Sequence, residues 1–189
     1  MDVREKKKEL RGQIKLIKNS LSPDEKKSMS LAVQNLLLQS DIAPKAKTIL
    51  LYHALPDEVD TSLLLEVMSS RHKGDKKIIL PVVSGDILLL KEYVPQNLMP
   101  GYNKIMEPVS DECIDPSEID LAIIPGVAFD RKCNRMGRGK GFYDKLLPHL
   151  NCLTVGLAFP FQIVENIPCE SFDKPLDMVF TDTEVYCLR

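Results

Sequence analysis

The sequence predicts an α/β protein of three layers, α/β/α, around a mostly parallel central sheet. Three observations support this. Short apolar runs of strand length recur at 48–52, 77–82, 120–124, 153–158 and 178–181, and such continuous apolar character suits strands buried on both faces. Helical patterns with clear start signals separate several of these runs, the alternation that builds parallel sheets with helices on both faces. The chain has 189 residues, 44% hydrophobic and 28% charged, the make-up of a soluble globular domain with a real core.

Residues 2–20 form the first expected helix. Val3, Leu10, Ile14 and Ile17 fall near one face, and Lys7, Lys8, Arg11, Lys15 and Lys18 crowd the others. By pattern alone these cations read as a solvated surface. The second helix opens at Ser22-Pro23-Asp24-Glu25, where Ser22 caps, Pro23 suits the first turn and Glu25 completes a capping box. It carries Met29, Ala32, Val33, Leu36 and Leu37 and is expected to end before Pro44. The strand at 48–52 runs into the loop His53–Thr61. Asp60 or Thr61 caps a helix reaching about Arg71. The strand at 77–82 and one around 87–90 pair antiparallel through a Ser84-Gly85-Asp86 turn. Residues 94–118, rich in proline and polar side chains, are expected to be loop. A strand at 120–124, a glycine loop, a helix from about 141 to near Pro148, strands at 153–158 and 178–181 and a short tail, Val185–Leu188, complete the chain. The layering is Rossmann-like, of the kind shared by sugar-phosphate isomerases and CoA transferases, and 1–189 is expected to be a single domain.

Composition excludes several function classes. A net charge of −2 argues against a dedicated nucleic-acid binder. No apolar run has the length of a membrane span, and the charged start Met1–Lys6 lacks a signal-peptide core, so a cytoplasmic location is expected. The five cysteines are widely spaced with no Cys-x-x-Cys pair, which disfavours zinc or a disulfide framework. Cys133, inside the glycine loop, reads as a reactive thiol or as a bystander, the bystander being the simpler reading. His53 follows a strand and is a candidate pocket residue. His72 and His149 read as surface helix residues.

The segment 124–144 carries the functional signal. The strand 121–124 is broken by Pro125-Gly126. A loop then sets Arg135, Arg138 and Lys140 around Gly137, Gly139 and Gly141, and Phe142-Tyr143-Asp144 opens a helix. Glycines let backbone N–H groups approach an anion, the cations neutralise it, and a helix N-terminus adds partial positive charge. A carboxylate just beyond, Asp144, suits a magnesium ion on the phosphates. Alternating glycines after a strand also make an ordinary turn; the flanking charges favour nucleotide phosphate. The loop is not a Walker A motif, since no Gly-Lys-Ser/Thr follows, and its glycine spacing is wrong for a dinucleotide fingerprint. The loops after Tyr52 and Ile124 both leave strand C-terminal ends, where open α/β sheets bind ligands, and are expected to converge on one crevice.

Pro125-Gly126-Val127-Ala128-Phe129-Asp130 followed by Asn134-Arg135-Met136-Gly137-Arg138-Gly139-Lys140-Gly141-Phe142-Tyr143-Asp144 resembles the signature of the 5-formyltetrahydrofolate cyclo-ligases, also called 5,10-methenyltetrahydrofolate synthetases. Lys7–Arg11 is similar to that family's basic N-terminal helix, Asp57–Thr61 to its folate-site loop, Met106-Glu107-Pro108 to a mid-chain Glu-Pro element, and Gln162–Asp177 to its C-terminal segment. Met136 and Phe142 are mild departures from leucine and tyrosine, and Cys133 replaces a glycine or small polar residue.

The resemblance implies ATP- and Mg²⁺-dependent cyclisation of 5-formyltetrahydrofolate to 5,10-methenyltetrahydrofolate, with release of ADP and phosphate, through a phosphorylated formyl group. It implies that Lys7, Lys8, Arg11, Arg135, Met136, Gly137, Arg138, Gly139, Lys140, Gly141, Phe142 and Tyr143 hold ATP, with Arg138 and Lys140 acting on the transferring phosphoryl group. His53, Leu55, Glu58 and Tyr143 are implied at the folate, Glu58 accepting from the pterin N–H edge, and Asp144 and Asp173 at magnesium. The partners are then ATP and the folate alone, with no nucleic acid or membrane, and the chain is expected to be monomeric. From residue type alone, Lys7 and Arg11 read as surface charges, Glu58 as a helix-start carboxylate, Tyr143 as a core aromatic and Asp173 as a loop residue. Two rivals stand beside this reading: another phosphate-handling enzyme of related architecture, and a non-catalytic folate- or nucleotide-binding module. Lys140→Ala and Asp144→Ala are both expected to abolish turnover with the fold intact.

Overall fold

The computed structural model describes residues 2–70, 76–102, 105–171 and 173–188; His72 and Phe172 lie outside them. Helix α1 (Val3–Ser20) is capped by Asp2, and α2 (Pro23–Gln39) by the expected Ser22 and Glu25 box. A short α3 (Ile42–Lys45) follows and contains Pro44, which occupies its third position rather than marking a break. β1 (Thr48–Leu50) leads through the 53–61 loop to α4 (Ser62–Ser70). Asp60 caps that helix by accepting from the Ser62 N–H at 3.0 Å, while the Thr61 hydroxyl donates to the Tyr52 carbonyl instead.

β2 (Lys77–Ser84) and β3 (Ile87–Glu92) form the expected antiparallel pair, with Gly85 at φ +60° in the turn. Pro81 sits inside β2 without loss. It opposes Leu90 at a position whose N–H side points away from β3, and β1, whose pairing stops opposite Ile79, has already ended there. The stretch 94–118 is not simply loop. β4 (Leu98–Pro100) and β5 (Met106–Pro108) make a two-stranded hairpin, and Pro116–Glu118 form a 3-10 turn. β6 (Leu121–Ile124) follows. The segment expected to be pure loop then contributes β7 (Ala128–Asp130) and β8 (Arg135–Met136), paired antiparallel. α5 (Phe142–Leu146) has five residues and runs into a 3-10 turn containing Pro148. β9 (Leu153–Leu157), β10 (Ile163–Val164) and β11 (Met178–Phe180) come next, and the tail is an edge strand, β12 (Val185–Cys187).

The main sheet has seven strands in the order β12-β11-β9-β6-β1-β2-β3. Its central members β11, β9, β6, β1 and β2 are parallel, and β12 and β3 are antiparallel edges. Side chains alternate across it. Ile49, Leu51, Leu121 and Ile123 pack with Val33, Leu37, Leu64 and Met68 of α2 and α4. Leu50, Ala122 and Ile124 face Leu146, Leu147 and Leu150 of α5 and its turn. The fold is therefore mixed α/β with a large, mostly parallel central sheet, as expected, although the second helical layer is thin. α1 packs elsewhere. Ile14 joins Val127, Ala128, Met136 and Ile167 over the small sheet β10-β7-β8.

One tight joint links the two sheets. Phe129 is fully buried, and a Cβ added at Gly156 in β9 would lie 2.6 Å from its ring; one added at Gly126 would lie 2.4 Å from it. The ring is pinned between two backbones and has no room to retreat. Gly156→Ala is expected to destabilise the protein by about 2 kcal/mol through overpacking, read as a fall in the urea midpoint. An unchanged midpoint would mean that the ring has somewhere to go.

Candidate active site

The loops after β1 and β6 do converge. A cavity of about 330 Å³ lies at the carboxyl ends of these strands, and both loops contribute to its wall. Tyr52 anchors the first loop. Its hydroxyl donates to the Val59 carbonyl at 3.0 Å, and its own carbonyl accepts from Thr61, so the chain between is folded back on itself. Glu58 is thereby held at the cavity wall with its side chain only 10% exposed. One carboxylate oxygen accepts from the Leu55 N–H at 3.0 Å and the other from Arg138 Nε at 3.0 Å. It is not a helix-start carboxylate, because α4 begins four residues later. His53 and Leu55 line the same wall, and His53 Nδ1 lies 2.5 Å from the Met106 carbonyl.

The second wall is the glycine loop. Val127 N–H donates to the Met136 carbonyl at 2.7 Å and fixes where the loop leaves β8. Gly139 at φ +93° and Gly141 at φ +74° give it its bends. Among the described residues, none of the N–H groups of 137–141 donates to another group. A row of unengaged amides beside three cations is an anion cradle. α5, with five residues, adds little dipole, so the loop amides and cations carry this property.

Each cation has a different setting. Arg135 has a side chain only 3% exposed; it donates to the Pro125 carbonyl at 3.1 Å, pairs with Asp144 and stacks over Tyr143 at 5.7 Å. Arg138 is 40% exposed and reaches across the cavity mouth to Glu58 and to Asp57, the latter at 2.5 Å. Burial lowers the Arg138 pKa, but the two carboxylates outweigh it and leave it raised. Lys140 is exposed on the cavity wall, and its ammonium has no partner among the described residues. Burial, and then the nearby Glu58 charge, push the Tyr143 phenol well up.

α1 supplies basic residues to the rim rather than to the cavity wall. Arg11 Nε donates to the Gly137 carbonyl at 2.8 Å and steadies the loop from behind. Lys7 is buried and paired with Asp173 at 2.5 Å and Glu170 at 3.3 Å, so it ties α1 to the C-terminal segment; these contacts outweigh burial and raise its pKa. Lys8 is exposed and does not line the cavity. Asp144 lines the cavity, whereas Asp173 faces Lys7 outside it. Among the described residues no three His, Cys, Asp or Glu side chains cluster as a metal site.

Several working residues were not singled out from sequence. Leu80, Pro81, Val83, Leu88 and Ile105 supply apolar lining to the cavity, and Glu107, read from sequence only as part of a Glu-Pro element, lines it beside Val83, whose N–H donates to its carboxylate at 3.4 Å. Asp130 is 1% exposed and accepts four hydrogen bonds that shape the β7–β8 turn. Gln162, also 1% exposed, donates to the Gly126 and Val127 carbonyls at 3.0 and 2.9 Å beneath the loop. The signal available for both was a polar residue in an otherwise apolar stretch.

Cys133 is a bystander. It is fully buried at φ +61°, the left-handed turn a glycine would take, and burial pushes its thiol up to about 11. Cys152, half-buried, is also pushed up to about 11, first by burial. The expected result of maleimide labelling near neutral pH is reaction at the exposed Cys113, Cys169 and Cys187, with Cys133 modified only on unfolding. Rapid labelling of Cys133 in the native protein, located by peptide mass, would contradict this burial.

The sequence matches the profile of the 5-formyltetrahydrofolate cyclo-ligase family over residues 3–182. It is 30% identical to the 5-formyltetrahydrofolate cyclo-ligase of Escherichia coli K12, covering 89% of this chain and 96% of that one. It is 31% identical to that of Haemophilus influenzae, covering 91% and 95%. The 5,10-methenyltetrahydrofolate synthetase structure of Aquifex aeolicus superposes with a TM-score of 0.85 at 37% identity, covering 97% of this chain and 93% of that one. The synthetase of Mycoplasma pneumoniae gives 0.74 at 26% identity, covering 93% and 98%. No helix among the described residues is long and apolar enough to cross a membrane. With a profile match over nearly its whole length, relatives matched over most of both chains, and a fold shared with solved synthetases, the chain belongs to the 5-formyltetrahydrofolate cyclo-ligase family.

Proposed function

We propose that this protein converts 5-formyltetrahydrofolate and ATP into 5,10-methenyltetrahydrofolate, ADP and phosphate. The observation that carries the reading is the mixed lining of the cavity. Arg138, Lys140 and the unengaged amides of 137–141 suit phosphates, the apolar side chains suit a flat heterocycle, and Glu58 lines the same cavity, paired with Arg138.

A formamide carbon is a weak electrophile and its oxygen a poor leaving group. The formyl oxygen therefore attacks the γ-phosphorus as the bond to the ADP oxygen breaks. N10 then adds to the activated formyl carbon, phosphate departs with the C–O bonding pair, and the N10 proton is lost. Such chemistry needs positioning and charge neutralisation, and no protein nucleophile is required. Lys140 and Arg138 neutralise charge on the transferring group. Glu58 accepts from the pterin N–H edge, which orients the formyl group toward the loop. Arg135, buried and held by three contacts, keeps Asp144 and Tyr143 in place rather than moving with the phosphate.

Magnesium is read as a partner of the phosphates. Such a cation takes one or two carboxylates and fills its shell with phosphate oxygens and water. Asp144, on the cavity wall with a third of its side chain exposed, fits that donor set. Asp173 would join only by giving up Lys7. When bound, the ion would neutralise phosphate charge. A monomer in which the whole chain acts as one catalytic domain is part of the same reading.

The test is the methenyl absorbance band of the product, followed with protein, 5-formyltetrahydrofolate and Mg²⁺, with and without ATP. A rise that needs ATP and the metal supports the proposal. No rise with folded protein would overturn it.

A further inference from the structure

Lys18 is the feature that the reaction leaves unexplained. It lies on α1, its side chain is 3% exposed, and its ammonium, among the described residues, is buried with no hydrogen-bond partner. Its nearest carboxylate is Asp57 at 3.7 Å, beyond hydrogen-bonding distance. An ammonium stranded in this way is costly. Burial depresses its pKa, and Asp57 and Glu58 oppose the shift. Asp57 meanwhile gives its other oxygen to Arg138 at 2.5 Å. Lys18 and Arg138 therefore share one carboxylate, and Arg138 holds it the closer.

The second observation is a conflict of roles. Arg138 is bound to Glu58 and Asp57 across the cavity mouth. An Arg138 that holds phosphate must leave Glu58, and a Glu58 that receives the pterin edge must leave Arg138. Neither substrate takes its partner while the pair is closed.

We propose that Lys18 is a positioning residue in an ion-pair latch: it shares Asp57 with Arg138, sets how tightly Arg138 is held to Asp57 and Glu58, and so couples the two substrate sites. The proposal rests on the function proposed above. Either ligand opens the latch at a cost, and the second ligand then binds without that cost, so each strengthens the other. Such coupling is reciprocal by thermodynamic necessity. Lys18 eases opening, because Asp57 falls back on it when Arg138 leaves. Two polyanionic ligands in one cavity would otherwise repel, so positive coupling is not the default.

The experiment is calorimetric titration with the β,γ-imido analogue of ATP and Mg²⁺, with and without saturating 5-formyltetrahydrofolate, so that no turnover occurs. In the unsubstituted protein the folate is expected to tighten nucleotide binding by about 5- to 30-fold, in the range usual for linked sites. Lys18→Met is expected to weaken nucleotide binding when folate is absent but scarcely when it is present, which raises the coupling factor. Asp57→Asn, at a half-buried position, is expected to do the opposite: tighter binding alone and a smaller coupling factor. Lys18→Arg should restore coupling toward that of the unsubstituted protein.

A purely structural or long-range electrostatic role would shift affinity equally with and without folate. Equal shifts, or absent or negative coupling in the unsubstituted protein, would overturn the latch while leaving the catalytic reading intact. Failure of the unsubstituted protein to bind the nucleotide at all would overturn both, and the methenyl assay separates the cases. Should Lys18→Met fail to fold, Asp57→Asn alone decides, because an unchanged coupling factor in that variant also overturns the proposal.

Discussion

Lys140→Ala is expected to lower kcat by about 100- to 1000-fold, the usual effect of removing one group that stabilises transition-state charge, with no change in the urea midpoint. Both halves follow from its setting. The residue is exposed, lines the cavity, and its ammonium touches no other described side chain. Nothing in the fold depends on it, so any loss is chemical. A cation free of partners is also the one that needs no rearrangement to meet a phosphoryl group, whereas Arg138 must first leave two carboxylates. The measurement is steady-state production of the methenyl band at saturating ATP and folate, with chemical denaturation in parallel. A rate within a few-fold of the unsubstituted protein would remove Lys140 from phosphoryl transfer. Asp144→Ala differs from the sequence-based expectation that the fold survives untouched. It strands Arg135, a guanidinium with a 3% exposed side chain, and should cost about 2–3 kcal/mol as well as activity. The estimate lies at the low end for a broken pair because Asp144 itself is a third exposed.

How much of this was legible in the sequence varies from residue to residue, for physical reasons. The glycine loop was legible because glycines and cations in alternation have few other uses. The strand cores were legible because Leu121–Ile124 and Leu153–Leu157 are buried on both faces and so read as unbroken apolar runs. α1 was read only in part: Ile14 is buried and Leu10 packs beside it, as expected. The line that went unread is buried Lys7 and Lys18 with half-buried Arg11 between them, at helical spacing with Ile14, while Ile17 is exposed. Hydrophobic periodicity does not register a face covered through ion pairs with Asp173 and Asp57 and a hydrogen bond to a loop carbonyl. The β4–β5 hairpin was missed because its strands end in Pro100 and Pro108 and expose Met99 and Met106, which masks the strand pattern. β8 was missed because Arg135 is a strand residue only by virtue of its register with Phe129. In each case the missing information was a partner distant in the chain.

Asp130 is the clearest case of such a partner, and substituting it has the largest effect expected on stability. One carboxylate oxygen accepts from the Lys132 and Asn134 N–H groups at 2.9 and 3.0 Å. The other accepts from Asn134 Nδ2 at 2.9 Å and from the Ile167 N–H at 3.0 Å. All four partners are donors, and the site is 1% exposed. Asparagine has nearly the same shape, so it leaves no cavity, but its amide can offer an acceptor to only one pair. The other pair would face an NH₂ group. The Asn134 amide can turn its oxygen to that NH₂, but the buried Ile167 N–H cannot, so one unsatisfied donor at about 1–3 kcal/mol and the loss of about 1 kcal/mol of charge assistance in the remaining bonds predict a loss of roughly 2–4 kcal/mol for Asp130→Asn. Denaturant unfolding would measure it, and a change below about 1 kcal/mol would mean the turn has other ways to satisfy its amides. The substitution also separates scaffold from chemistry. Asp130 closes the turn that presents Arg135 and joins it to the segment at Ile167, but it touches nothing in the cavity. Molecules of Asp130→Asn that remain folded should therefore turn over far faster than Lys140→Ala, even though the population of folded molecules is far more easily lost.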